Sequence, residues 1–188
     1  MSATATAVKY TERDMLDLLH TRYSGVSQGS RVYAVAEHVP VYFEGAIANR
    51  DRIADFVAQH CHTTHVSRDG RPARWVHGEY AGGFARTQLH GHEVKVSRSD
   101  WLAELADPSK AEAWKRYCDR WWLVAPAGVV RDRELPQGWG LLVPSAKGLR
   151  AAVMAPLLDP VPLNDRTRAS VMRRVQATAT RRAVGLNG

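Results

Sequence analysis

Residues 92–101 constrain the fold more than any other stretch, because a strand pattern there runs directly into a helix start. Glu93 and Lys95 are two residues apart and share one face of a strand, whereas Val94 and Val96 point the other way, into a core. The residues that follow can cap a helix and then become apolar at helical spacing. A carboxylate and an ammonium side by side at the end of this strand suggest a chemical site.

The other elements follow from apolar periodicity, turn residues and helix caps. Helices are predicted at 11–25, at 99–117 with a break at Pro108, and at 163–182. Strands are predicted at 31–39, 52–58, 89–96, 121–125, 141–143 and 149–154, the last two as a hairpin. In the region between 59 and 88, a strand near 62–66 is expected to pair with one near 73–77 across a turn at 67–72, and 78–84 is expected to be a loop. This order of elements predicts an α/β domain with a mixed sheet.

Length and charge narrow the class of protein. A chain of 188 residues fits one domain, and its formal net charge of +7 favours a polyanionic partner, nucleic acid before an anionic membrane surface. No stretch approaches the roughly 20 apolar residues of a membrane span. Residues 1–8 lack the pattern of a signal peptide, so a cytoplasmic protein with free thiols at Cys61 and Cys118 is expected.

The chain is expected to divide into three parts. A flexible tail is predicted at 1–10, the α/β domain at 11–155 with an insertion at 59–88, and a linker with a basic helix at 156–188.

Asp55 is the second sign of a site, because it interrupts the apolar run 52–58. A buried carboxylate costs several kcal/mol unless a cation meets it. The alternative is an ordinary buried aspartate that a neighbouring arginine such as Arg52 satisfies.

Together, Asp55, Glu93 and Lys95 have the residue types that phosphodiester hydrolysis needs. Two carboxylates suit Mg²⁺ or Mn²⁺, and a lysine close by can orient or deprotonate a water molecule or stabilise developing charge. The alternative is a solvated strand face, because a Glu-x-Lys pair alone is a weak signal.

Three blocks of sequence carry a resemblance to a known family. These are 93–101 (EVKVSRSDW), 117–126 (YCDRWWLVAP) and 135–142 (LPQGWGLL). The chain resembles the MmcB-like branch of the PD-(D/E)xK nuclease superfamily, which is found in bacteria and phages. The resemblance covers residues 11–155, and the three blocks occur in the same order as in that family.

The resemblance implies a restriction-endonuclease-like core, a central mixed β-sheet flanked by helices. It also implies a Mg²⁺- or Mn²⁺-dependent DNA endonuclease of DNA repair or phage DNA processing. The family's Arg-x-Ala-Asp block matches 52–55, so its metal-binding aspartate carries over to Asp55. Its Glu-x-Lys block carries over to Glu93, the second metal ligand, and to Lys95, which completes the catalytic set. The sequence departs from the family in the 37 residues between Asp55 and Glu93. If the insertion displaced the Asp55 strand, the protein would be a binding module without activity.

Further candidates are less specific. Glu37, and more weakly Glu12, are candidates for an additional metal ligand. The cluster of His60, Cys61, His62 and His65 resembles a zinc site, although chance crowding is the favoured interpretation. His90 and His92 flank the site strand and can contact phosphate or a metal, with surface histidines the favoured alternative. The tryptophans at 121, 122 and 139 are expected in the core rather than stacked on bases.

Arginines supply the candidate nucleic-acid contacts. The terminal helix carries six arginines against one acid, a pattern equally typical of a phosphate-binding surface and of a solvated face. The predicted contacts are Arg98, Arg166, Arg168, Arg173 and Arg174. A catalytically inactive nucleic-acid-binding protein therefore remains the alternative to a nuclease, and a protein-interaction factor with incidental basicity is a third possibility.

Overall fold

The structure is a computed structural model that describes residues 9–27, 30–42, 52–61, 64–67, 74–76, 79–81 and 83–185. The helices are α1 (Glu12–Arg22), α2 (Arg98–Ala106), α3 (Ser109–Lys115) and α4 (Asp165–Ala183). The strands are β1 (Val26–Ser27), β2 (Ser30–Arg31), β3 (Tyr33–Pro40), β4 (Ile53–His60), β5 (Thr64–Ser67), β6 (Arg74–Val76), β7 (Glu79–Ala81), β8 (Gly83–Arg86), β9 (Leu89–Val94), β10 (Arg120–Val124), β11 (Trp139–Ser145) and β12 (Gly148–Val153).

Six of these strands form one mixed sheet in the order β12-β11-β10-β9-β4-β3. β9, β10 and β11 are parallel, β4 is antiparallel to both of its neighbours, and β12 is antiparallel to β11. The predicted α/β class, with a central mixed sheet flanked by helices, is confirmed. The helix break at Pro108 and the hairpin at 141–154 are also confirmed.

Apolar side chains cover both faces of the sheet. Met15, Leu16 and Leu19 of α1 pack on one face, and the tryptophans of α2 and α3 pack on the other. The predicted core position of three further tryptophans is confirmed, since the exposed fractions are 0% for Trp121, 2% for Trp122 and 3% for Trp139.

Two glycines allow this tight packing around β10. Trp121 lies beside Gly91 of β9, and Trp122 lies beside Gly140 of β11. A Cβ atom at Gly91 would lie 2.4 Å from the ring of Trp121, and one at Gly140 would lie 2.4 Å from the ring of Trp122. Both indole rings therefore occupy space that any larger residue would fill.

Helix α4 covers the outer edge of β3, the terminal strand of the sheet. The hydroxyl of Thr178 accepts the N–H of Glu37 at 3.1 Å, and the hydroxyl of Thr167 accepts the N–H of Tyr42 at 3.0 Å. Eleven helical residues rise roughly 16 Å, the same length as five extended residues. The two threonines thus match the spacing of the two amides and satisfy a strand edge that would otherwise be open to pairing.

The segment between β4 and β9 folds differently from the expectation. β5 pairs with β8, and β6 pairs with β7, both antiparallel. The predicted pairing of 62–66 with 73–77 is wrong, and so is the predicted loop at 78–84. β6 pairs instead with β7, from which it is separated by two residues, the length of the shortest hairpin connection. β4 and β9 remain hydrogen-bonded to each other across this segment.

Within the described residues, no helix is both long enough and apolar enough to cross a membrane.

Candidate functional site

The site lies at the edge of the sheet where β3 and β9 end and β4 begins. Phe56 of β4 pairs with His92 of β9, so the next residues in that register, Asp55 and Glu93, oppose each other. At this position a side chain, and not the backbone, makes the hydrogen bond between the two strands: Oδ2 of Asp55 accepts the N–H of Val94 at 2.7 Å. This bond fixes the Asp55 carboxylate against the segment that carries Glu93.

Lys95 bridges two carboxylates beside it. Its Nζ donates to Oε1 of Glu93 at 2.5 Å and lies 3.1 Å from Oε2 of Glu104. Glu104 comes from α2 and is not among the predicted site residues. A signal was available, because Glu104 lies three residues after the buried Trp101, on the helix face that packs inward.

The cluster perturbs the pKa of each group in it. Burial, the charge of Asp55 and the charge of Glu104 raise the pKa of Glu93 to about 8, although Lys95 opposes the shift. Burial also raises the pKa of Asp55 to about 6, against the hydrogen bond from Val94. Burial lowers the pKa of Lys95, but its pairing with Glu93 and Glu104 outweighs burial and raises that pKa. The ammonium therefore stays charged, while the carboxylates lack enough positive charge around them.

Two more side chains extend the cluster towards α1. His38 of β3 lies opposite Asp55 in the antiparallel register, with a positive φ of 51°, and Glu12 is the first residue of α1. One ligand atom from each of Glu12, His38 and Asp55 lies within 4.8 Å of the others. Carboxylate oxygens and an imidazole nitrogen form a donor set that suits Mn²⁺ and tolerates Mg²⁺.

Glu37 does not join this group. Its carboxylate accepts two hydrogen bonds from Arg13, at 2.8 and 3.1 Å, and lies 2.6 Å from Nε2 of His20 and 3.6 Å from Arg181. Burial raises the pKa of Glu37, but hydrogen bonds with His20 and Arg13 outweigh it and lower that pKa. The partners of the Glu37 carboxylate are thus Arg13, His20 and Arg181, on a different side of β3 from the Asp55 group.

The predicted nucleic-acid contacts have different surroundings. The guanidinium of Arg98 binds both carboxylate oxygens of Glu134 and donates to the carbonyl of Val129, so it fastens the 126–138 loop to α2. Arg166 lies over the ring of Tyr42 at 4.5 Å. Like Arg166, the remaining three arginines lie on α4. Arg168 pairs with Asp165, Arg173 is exposed and Arg174 is half-buried.

Of the two histidines in β9, His92 is buried and His90 is half-buried. His92 is 0% exposed, and its Nε2 lies 2.9 Å from the hydroxyl of Tyr23, which also lies 3.1 Å from Nδ1 of His90. The surface position favoured for His92 is therefore wrong. Burial lowers the pKa of both rings, to about 3 for His90.

The possible zinc cluster is described only in part. Residue 62 and the side chain of residue 65 lie outside the described residues. The ring of His60 packs edge-on against Tyr33, and Cys61 is a free, exposed thiol. Cys118 is also a free thiol, and it is buried.

Fold and site together define an α/β protein with a cluster of carboxylates around one lysine at the end of its mixed sheet. No family model matches the chain, and no curated protein matches it. A solved structure of a protein of unknown function, SPO1766 from Silicibacter pomeroyi, is similar over 82% of this chain and 80% of that chain, with 19% sequence identity and a TM-score of 0.46.

Proposed function

We propose that this protein is a metal-dependent endonuclease that hydrolyses DNA phosphodiester bonds, as its resemblance to MmcB-like members of the PD-(D/E)xK superfamily implies. The observation that carries the proposal is the hydrogen bond between the Asp55 carboxylate and the N–H of Val94. It joins two motif blocks that are far apart in sequence and places Asp55 beside Glu93 and Lys95.

The donor set fits a divalent cation. Glu93 and Glu104 contact the ammonium of Lys95, and Asp55 lies close enough to interact with its charge. Burial raises the pKa of Asp55 and of Glu93, and the charges of Asp55 and Glu104 raise the pKa of Glu93 further, so a bound cation would stabilise both carboxylates. Asp55 and Glu93 would hold Mg²⁺ or Mn²⁺, with Glu12 and His38 as further donors on the α1 side. When bound, such a cation neutralises phosphate charge and acidifies a water molecule.

Lys95 has an electrostatic role in this proposal. Two carboxylates raise its pKa, so at neutral pH it is an ammonium and cannot accept a proton. A fixed positive charge stabilises the negative charge that develops on the phosphate during hydrolysis. Of the two roles open to this lysine, charge stabilisation is therefore favoured over deprotonation of water.

The basic surface supports a nucleic-acid substrate. Thr178 binds the middle of β3 and Thr167 binds just beyond its end, so the turns of α4 that carry Arg168, Arg173 and Arg174 run beside the end of the sheet that holds Asp55. Arginines there can contact the phosphate backbone without reading bases. We further propose a cytoplasmic protein that acts in DNA repair or phage DNA processing.

A cleavage assay tests the proposal. Supercoiled plasmid and single-stranded DNA are incubated with the protein in Mg²⁺ or Mn²⁺, beside the shape-conserving variants Asp55→Asn, Glu93→Gln and Lys95→Met. We expect each variant to lose at least about 100-fold in rate. Glu112→Gln is the matched control, because Glu112 is an exposed helix carboxylate paired only with Lys115 among the described contacts.

The outcomes separate the rival functions. Cleavage that persists in all three variants would point to a contaminating nuclease. Absence of cleavage, with salt-sensitive retardation of DNA in a gel, would favour the catalytically inactive binding protein. Neither cleavage nor retardation would favour a protein-interaction factor.

A further inference from the structure

Glu104 contacts Lys95 at the site, and the family resemblance gives it no role. Its carboxylate is only 7% exposed, and Oε2 lies 3.1 Å from Nζ of Lys95. Its other oxygen, Oε1, is buried and has no hydrogen-bond partner among the described residues. A buried carboxylate that is only half satisfied is unfavourable for the fold, so packing does not account for it.

The position of Lys95 suggests what Glu104 does. One ammonium contacts Oε1 of Glu93 and Oε2 of Glu104 at the same time. A divalent cation on Glu93 would repel this ammonium and weaken its pairing with that carboxylate. Glu104 would then be the remaining carboxylate, among the described residues, in contact with Lys95.

We propose that Glu104 is a positioning residue, which holds Lys95 at the site when a divalent cation occupies Glu93. The inference rests on the proposed nuclease function. Without the Glu104 carboxylate, the ammonium would pair with Glu93 alone and compete with the cation for the same oxygen. Loss of Glu104 would therefore have two effects: weaker cation binding and a misplaced Lys95.

A double-mutant cycle tests this inference. Mn²⁺ affinity is measured by isothermal titration calorimetry, and DNA cleavage is measured in Mn²⁺, for the wild type, Glu104→Gln, Lys95→Met and the double variant. We expect Glu104→Gln to lower Mn²⁺ affinity about 10-fold to 100-fold in the wild-type background, the usual effect of removing a group that orients a metal site. In the Lys95→Met background, Glu104→Gln should change Mn²⁺ affinity little, because the lysine through which Glu104 acts is absent.

Several results would overturn the inference. An equal loss of Mn²⁺ affinity in both backgrounds would mean that Glu104 contacts the cation directly, and no loss in either background would mean that Glu104 is only structural. Glu112→Gln should leave Mn²⁺ affinity unchanged. If Glu104→Gln fails to fold by near-ultraviolet circular dichroism, Glu104→Asp, which keeps the charge on a shorter side chain, takes its place in the cycle. A wild-type protein that binds no Mn²⁺ would instead refute the proposed function and this inference with it.

Discussion

Replacing Asp55 with asparagine is expected to stabilise the cation-free protein, although Asp55 is central to the proposed site. Asparagine keeps an oxygen that can accept the N–H of Val94, the bond that the carboxylate makes at 2.7 Å. It removes a charge whose pKa burial raises from 3.8 to about 6. Above pH 6 the folded wild type therefore carries an unfavourable buried charge that the variant lacks.

The pH dependence gives the effect its sign and size. Because the folded state binds the Asp55 proton more tightly than the unfolded chain, this group lowers the free energy of unfolding as pH rises from about 4 to about 6. Each pKa unit corresponds to about 1.4 kcal/mol, so the charge is worth roughly 3 kcal/mol above pH 7. The pKa of about 6 already includes the hydrogen bond from Val94, so that bond needs no separate correction. Asparagine resembles the protonated side chain, and we therefore expect a gain of about 2–3 kcal/mol at pH 8 and none near pH 4.

Urea unfolding with a chelator present, followed by tryptophan fluorescence at about pH 4.5 and pH 8, measures the difference. Glu37→Gln provides a contrast of opposite sign, because the lowered pKa of Glu37 stabilises the fold above its unfolded pKa and the variant loses that contribution at pH 8. Added Mn²⁺ should stabilise the wild type and not Asp55→Asn. A loss of about 1 kcal/mol or more in Asp55→Asn at pH 8 would refute the reasoning and make Asp55 a structural carboxylate.

Three further outcomes are expected. Gly91→Ala should destabilise the fold by about 1–3 kcal/mol in urea unfolding, since its Cβ would lie 2.4 Å from the ring of Trp121. Thr178→Val keeps the shape but leaves the N–H of Glu37 without its acceptor, so it should lose about 1–3 kcal/mol and speed hydrogen exchange of that amide. His90 stays neutral in the fold down to about pH 3, mainly because of burial, so the wild type should lose stability as pH falls below about 6.5, and His90→Gln should show a shallower loss.

Each of these outcomes has a control or a contradicting result. Gly25→Ala adds a Cβ with its nearest neighbour at 3.9 Å and should be tolerated far better than Gly91→Ala. Thr180→Val, on the exposed side of α4, should leave hydrogen exchange in β3 unchanged. An identical pH dependence of stability in the wild type and in His90→Gln would mean that His90 titrates normally.

Local pattern accounted for the parts of the site that lie within one element. Alternation along 92–96 predicted that Glu93 and Lys95 share a face, and their hydrogen bond confirms it. The same alternation indicates why Glu37 lies apart from Asp55, because Glu37 pairs with Phe56, next to Asp55, and successive residues on a strand point to opposite faces. Helical spacing can place Glu104 on the inward face of α2, but its contact with Lys95 is a tertiary feature that spacing does not predict.

Long-range pairing accounted for the errors. The turn residues at 67–72 suggested a simple hairpin. Instead, β6 and β7 pair with each other and lie in sequence between β5 and β8, which also pair with each other. Short strands of this kind pair according to which neighbours are available, and no periodicity encodes that choice. The surface assignment of His92 failed for a related reason, since the ring is buried and hydrogen-bonded to the hydroxyl of Tyr23, which is 69 residues away.

The attachment of α4 to β3 also affects the order of folding. The hydroxyl of Thr178 meets the amide of Glu37 across 141 residues of chain, so the first long strand of the sheet is completed by the last described helix. Contacts of such sequence separation slow folding, and during synthesis this one cannot form until α4 has been made. The strand that carries His38 would therefore gain this edge contact only after α4 has been synthesised, and a site that depends on that strand would form late in the folding of the domain.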